Sequence, residues 1–251
     1  MKQLIPLTGV LAVMIVFLCI NNSCSKNSNS DNNSGGGLST QPVAQSSFDN
    51  QSGGVYKGTL TGSSGYFEVN LQSSRPFLFY QWTSPSSGNI DTLYSTALSN
   101  WQSGQAISKA LFTGADGSLF WFSVGANGSD PTIDSVYIPS HSGPVYASVS
   151  KELSTSQVKV YQGSATPASG NAAQCETAVV NIWISSGTAM GTYLAADGDH
   201  GGGDGSVSGN QLQISMGQES GALTISGNGN SISGTVSGNS CTHSLAMTRI
   251  F

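Results

Sequence analysis

Residues 55–65 read VYKGTLTGSSG and residues 160–170 read VYQGSATPASG, six identities in eleven positions at an offset of 105. The paired Val55/Val160 and Tyr56/Tyr161 are not low-complexity residues, so the match exceeds what a Gly/Ser-rich chain produces by composition. Two further echoes keep nearly the same spacing: Val69-Asn70-Leu71 with Val180-Asn181-Ile182, and Asp116-Gly117-Ser118-Leu119 with Ser220-Gly221-Ala222-Leu223. Self-similarity at this period implies two copies of one unit rather than a solenoid of short repeats.

The unit is a β unit. Tyr66–Leu71, Pro76–Trp82, Leu119–Val124, Val145–Val149 and Gln157–Tyr161 read as strands bounded by turn formers, and Thr92–Leu111 alone has the mixed composition of a short helix. In the second half, Val179–Ile184, Ala189–Leu194, Gln211–Ser215, Ala222–Ser226, Ser231–Val236 and Ser244–Ile250 give about six strands. Gly227-Asn228-Gly229-Asn230 between two of them is a hairpin signal, because Gly and Asn tolerate positive φ. With 32 glycines and few long-helix formers, the expected fold is all-β and antiparallel, as two related β-barrel or β-sandwich-like units, the alternative being one larger antiparallel barrel. The expected boundaries are 48–158 for the first unit and 159–251 for the second.

Ahead of them lies a different kind of sequence. Lys2 precedes an apolar run from Leu4 to Ile20, and Asn21-Asn22-Ser23 leads into Cys24. The charged n-region, apolar h-region and small residue before a cysteine resemble a bacterial lipoprotein signal of the Bacteroidota type, departing from it at Asn21, where an aliphatic residue is usual. The resemblance covers only the N-terminus. It implies a signal peptide at 1–23, lipidation of Cys24 and a cell-envelope, outer-membrane location. Cys19 is a poorer lipidation candidate, since bulky Leu18 precedes it. Ser25–Ser47 has almost no apolar content and is expected to be a flexible linker from the lipid site.

Cysteine use agrees with export. Beyond Cys24 the chain has Cys175 and Cys241, with no CxxC spacing, and the expectation is a disulfide. Only 8% of residues are charged and the formal net charge is −5, which leaves no basic footprint for nucleic acid.

Candidate chemistry is sparse. No GxSxG elbow, HExxH pair or phosphate-cradling loop occurs, and no motif calls for a cofactor. Ser148–Lys151 and Ser156–Lys159 match SxxK, but both lie on expected strands, where residues three apart face opposite sides. Asp197-Gly198-Asp199-His200-Gly201-Gly202-Gly203-Asp204 gathers three carboxylates and an imidazole, yet it fits neither calcium-loop pattern and reads as a glycine-rich hairpin loop, not a metal site. Asp91-Thr92-Leu93 and Asp134-Ser135-Val136 resemble the O-glycosylation acceptor of exported proteins in the same bacterial group.

Three functions are compatible with these features. The leading expectation is a non-catalytic binding or structural lipoprotein contacting a glycan, surface polymer or envelope protein, with Trp82, Trp101, Trp121 and Trp183 as candidate ligand-binding rings. An exported polysaccharide hydrolase would need two acids across one cleft, drawn from Asp91, Asp116, Asp134, Glu152 and Glu219. A small-ligand carrier would hold its ligand in the mouth of a closed barrel.

Overall fold

The structure, a computed structural model, describes residues 39–61, 65–84, 87–139, 141, 143, 145–170, 175–238 and 241–251. The lipidation candidate Cys24 and the signal-like segment lie outside these residues. A 3-10 turn at Ser46–Phe48 precedes sixteen strands. The first eight are β1 (Val55–Leu60), β2 (Gly65–Asn70), β3 (Phe77–Ser84), β4 (Ser87–Tyr94), β5 (Ile107–Thr113), β6 (Leu119–Val124), β7 (Thr132–Tyr137) and β8 (Ala147–Glu152). The second eight are β9 (Lys159–Gly170), β10 (Ala178–Ser185), β11 (Thr188–Ala195), β12 (His200–Ser208), β13 (Gln211–Met216), β14 (Glu219–Ile225), β15 (Ser231–Gly238) and β16 (Cys241–Arg249).

Each set of eight forms one antiparallel, up-and-down unit. In the second, β9 pairs with both β10 and β16, and the barrel is closed. The first has the same cyclic order, with β8 paired to β1, but β7 and β8 lie beside each other without a paired register. It is a rolled sheet with one seam. The short helix expected within Thr92–Leu111 does not form: β4 runs to Tyr94, two turns at Ser99 and Trp101 follow, and β5 begins at Ile107. Strand pairing on either side wins over the weak local helical preference of this stretch.

The repeat marks equivalent strands. VYKG opens β1 and VYQG lies at the start of β9; the second echo falls at the end of β2 and within β10, and the third at the turn into β6 and within β14. Tyr56 and Tyr161 are both fully buried inside their units. Gly58 and Gly163 do the same work in both: a Cβ there would stand 2.1 Å from the Ser148 carbonyl oxygen of β8, or 2.0 Å from the Ala246 carbonyl oxygen of β16. Glycine at this position lets the last strand of each unit close onto the first.

Alternation then fills the interiors. The first core is aromatic, with Tyr80 and Phe120 ring centroids 5.2 Å apart and Tyr56 edge-on to Phe122 at 5.2 Å. Within Phe120-Trp121-Phe122 the two phenylalanines are fully buried and Trp121 turns to the outer face. The second core is aliphatic, built on Ile182, Leu212, Ile214, Leu223, Ile232 and Leu245. Between the units lies a third apolar layer of Val158, Val160 and Trp183, against which Tyr66, Met190, Ile250 and Phe251 pack. Consequently every residue of β1 is buried, on both faces.

Polar contacts fasten the same region. Glu152, fully buried, accepts Lys57 Nζ at 2.8 Å, the Val158 amide at 3.0 Å and the Val43 amide at 2.7 Å. Of the tract read as a flexible linker, residues 39–47 are therefore docked. The Ser39 carbonyl also accepts Arg249 Nη2 at 2.7 Å, and the Gln72 side chain holds both Val43 and Gln45. Buried acceptors on the barrels give this polar segment the partners that its own composition does not supply.

Candidate functional site

The two ends of the second barrel differ, and β16 shows why. Its inward residues run Cys241, His243, Leu245, Met247 and Arg249. At the Arg249 end, the guanidinium donates to Gln157 Oε1 at 2.7 Å and to the Phe251 carbonyl, and Tyr161 donates to the Gly229 carbonyl at 2.8 Å. That end is plugged. At the Cys241 end the barrel opens into a cavity of about 450 Å³.

The cavity lining mixes apolar and acidic side chains: Ala165, Ala178, Val180, Met216 and Val236 stand beside Glu176, Asp197, Asp199, Glu219, Tyr193 and His243. Nearby glycines let the strands pack closely: a Cβ on Gly191 would stand 2.5 Å from Met216 Sδ, and one on Gly203 would stand 1.7 Å from the Ser215 carbonyl oxygen. Here the reading of 197–204 needs correction. Only Asp197-Gly198-Asp199 turns between β11 and β12, and His200–Ser208 is a strand, paired with β11 along 200–206 and with β13 along 205–208. Its glycines lack intrinsic β preference, but neighbouring ladders supply the order and the missing side chains allow close approach.

His243, 8% exposed, points Nδ1 at Glu219 Oε1 at 2.8 Å and Nε2 at the Glu176 carbonyl oxygen at 2.9 Å. Both ring nitrogens are thus held by oxygens, which fixes the orientation of the imidazole. Tyr193 donates to Asp199 Oδ2 at 3.2 Å, and its phenol is pushed above the ordinary tyrosine value by burial and then by the adjacent Asp199 carboxylate. It stays a neutral donor. Glu176 Oε2 is buried without a hydrogen-bond partner among the described residues. Four carboxylates and one imidazole thus line the cavity, giving it a negative field.

The expected disulfide is present at this rim. Cys175 and Cys241 are bonded with Cα atoms 5.6 Å apart, tying the segment before β10 to the start of β16. Among the described residues, no three His, Cys, Asp or Glu side chains are gathered as metal ligands.

The other sequence candidates scatter. Trp82 is fully buried against His141, ring centroids 4.9 Å apart, and Trp183 is 8% exposed in the layer between the units, donating to Ser148 Oγ at 2.7 Å. Neither presents a face to a glycan; Trp101 and Trp121 are half-buried. Both large rings are taken by packing because the interfaces they fill are apolar, and a tryptophan buries more surface there than any other residue. The exposed rings are instead Tyr94, Tyr137 and Tyr146.

Of the acids, Asp91 and Asp116 do meet: their oxygens lie 2.4 and 2.7 Å from where a Cβ on Gly114 would sit. Their oxygens are committed to the β5–β6 turn. Asp116 accepts the Ser118 amide at 2.8 Å and Tyr80 Oη at 2.6 Å, while Asp91 accepts the Thr92 amide at 2.7 Å. Burial raises the Asp116 carboxyl, but the Tyr80 and Ser118 hydrogen bonds outweigh it and hold the group below the ordinary value. An acid catalyst needs the opposite displacement. Asp134 accepts Ser123 Oγ at 2.6 Å on β7, Glu152 is the buried hub, and only Glu219 reaches the mouth. In the SxxK matches, Lys151 Nζ donates to the Phe48, Asp49 and Gln51 carbonyls, and Ser148 accepts Trp183.

The residues missed by sequence reasoning are His243, Tyr193 and Glu176. Alternation along Cys241–Arg249 carries a signal for the first, since it sets His243 in line with Leu245 and Met247. Comparison of the chain with protein-family models, curated proteins and solved structures gives no match.

Proposed function

We propose that the protein is an exported, lipid-tethered binding protein that holds a small organic cation in the mouth of its second barrel. The observation that carries this reading is the cavity of about 450 Å³, whose size and partly apolar lining suit a small molecule and whose wall carries four carboxylates. An ammonium group would sit among Glu219, Asp197 and Asp199, with its hydrocarbon part on Val180 and Val236. His243 orients Glu219 toward that position. Lipidation at Cys24 and the envelope location are part of the same proposal and rest on the resemblance of residues 1–24 to a lipoprotein signal.

Calorimetric titration of the protein with alkyl- and arylammonium ions, beside their neutral isosteres, tests the reading. A bound ammonium whose affinity falls about tenfold or more in Glu219→Gln, while the isostere stays unbound, supports it. Equal binding of charged and neutral members, or no binding by either, overturns it. Cys24→Ala is expected to abolish incorporation of labelled fatty acid and to release the protein from membranes; unchanged labelling would remove the tether from the proposal.

A further inference from the structure

A second cavity, of about 490 Å³, lies in the cleft between the two units, and among the described residues no carboxylate, lysine or arginine lines it. Its walls are the outer face of β11 and β12 on one side and the start of β8 on the other. At its edge Tyr146, 55% exposed, stacks on His200 with ring centroids 5.3 Å apart and planes 20° from parallel, so that an aromatic pair bridges the two units. Gly202 faces outward on β12, where any side chain would occupy the cleft.

The hydroxyls around it are unusual. Thr192 is 5% exposed and lines the cleft, yet its Oγ1 has no hydrogen-bond partner among the described residues. A buried polar atom of this kind in a native fold calls for an explanation. The Thr192 methyl is the part nearest Gly202, at 4.0 Å from where a Cβ would sit. Rotation about χ1 to the staggered well that carries the hydroxyl into the present methyl position, the methyl moving to the hydrogen position, would bring the oxygen to the Gly202 side. Ser148 accepts Trp183 Nε1 at 2.7 Å and so keeps its own proton to give, and Thr61 adds another hydroxyl.

We propose that this cleft is a binding site for a neutral saccharide, independent of the cation site in the barrel mouth. A sugar ring presents a C–H face to an aromatic platform and hydroxyls to its sides, matching Tyr146 beside Thr61, Ser148 and Thr192. The absence of lysine and arginine from the described wall disfavours phosphorylated, sulfated or acidic ligands, because their charges would be desolvated without a strong counterion. Because the site takes one wall from each unit, an occupied cleft also links their relative positions.

The test is saturation-transfer NMR on the full chain in detergent, with cellobiose, maltose, lactose and the N-acetylglucosamine dimer as probes, followed by titration of any that bind. The expected result is binding of at least one, weakened about tenfold by Tyr146→Ala and about threefold by Thr192→Val. Thr192→Val removes the hydroxyl with little change of shape and Tyr146 is exposed, so both variants are expected to keep the wild-type melting temperature. Absence of binding by every probe, or binding that persists unchanged in both folded variants, overturns the proposal.

Discussion

Glu68 carries a pH dependence that its neighbours dictate. It lies outward on β2 opposite Lys57, and burial raises its carboxyl above the ordinary 4.5, only partly offset by the charge of Lys57. A carboxyl raised in the folded state contributes its full stability below the unfolded value and loses it as pH climbs through the folded value. Glu68→Gln is therefore expected to match wild type near pH 4 and to exceed it in melting temperature above the raised value, checked by thermal melts across that range. A variant that melts lower than wild type at pH 8 would show that Lys57 outweighs burial. Lys57 itself answers to Glu152, whose carboxylate is fully buried. Lys57→Met leaves that charge without its cation and is expected to cost about 3 to 5 kcal/mol by urea denaturation.

Among elements, the opening strand of each unit is the most informative. Tyr56 with Gly58 and Tyr161 with Gly163 were legible as a repeat because the same two demands, a buried ring and a close strand approach, select the same residue types twice. Gly58→Ala and Gly163→Ala are expected to destabilise alike, by about 1 to 3 kcal/mol, since each new Cβ meets a backbone oxygen that cannot rotate away. If one were neutral, the equivalence of β1 and β9 in closure would fail. β12 was not legible, because His200–Ser208 has four glycines, no β-branched residue other than Val207 and no Phe, Tyr or Trp, so neither propensity nor alternation marks it as a strand. The disulfide at the rim was legible from cysteine number alone. Reducing Cys175–Cys241, which closes a loop with sequence separation 66, is expected to lower unfolding free energy by about 4 kcal/mol, read from urea curves with and without reductant.

At the scale of the whole molecule, the two-unit all-β plan follows from turns and alternation, whereas the site does not. Glu176, Tyr193, Glu219 and His243 stand on separate parts of the chain and converge only because the barrel closes β9 onto both β10 and β16. No local pattern encodes that meeting. The layer of Val158, Val160 and Trp183, with Glu152 bonded to both the strap and the Val158 amide, couples the units energetically. Thermal unfolding is expected to give one transition, reported alike by tryptophan fluorescence and far-ultraviolet circular dichroism; two separated transitions would show that the layer contributes little.

The strap at Ser39 is held by Arg249 at the plugged end of the second barrel, while His243 and the open mouth lie six residues back along the same strand, roughly 20 Å away. With Cys24 lipidated as proposed, load arriving from the N-terminal side would enter at the stopper and not at the lip. It would strain the Ser39, Gln157 and Arg249 contacts first, and the rim, stitched by Cys175–Cys241, would keep its shape until that fastening tore.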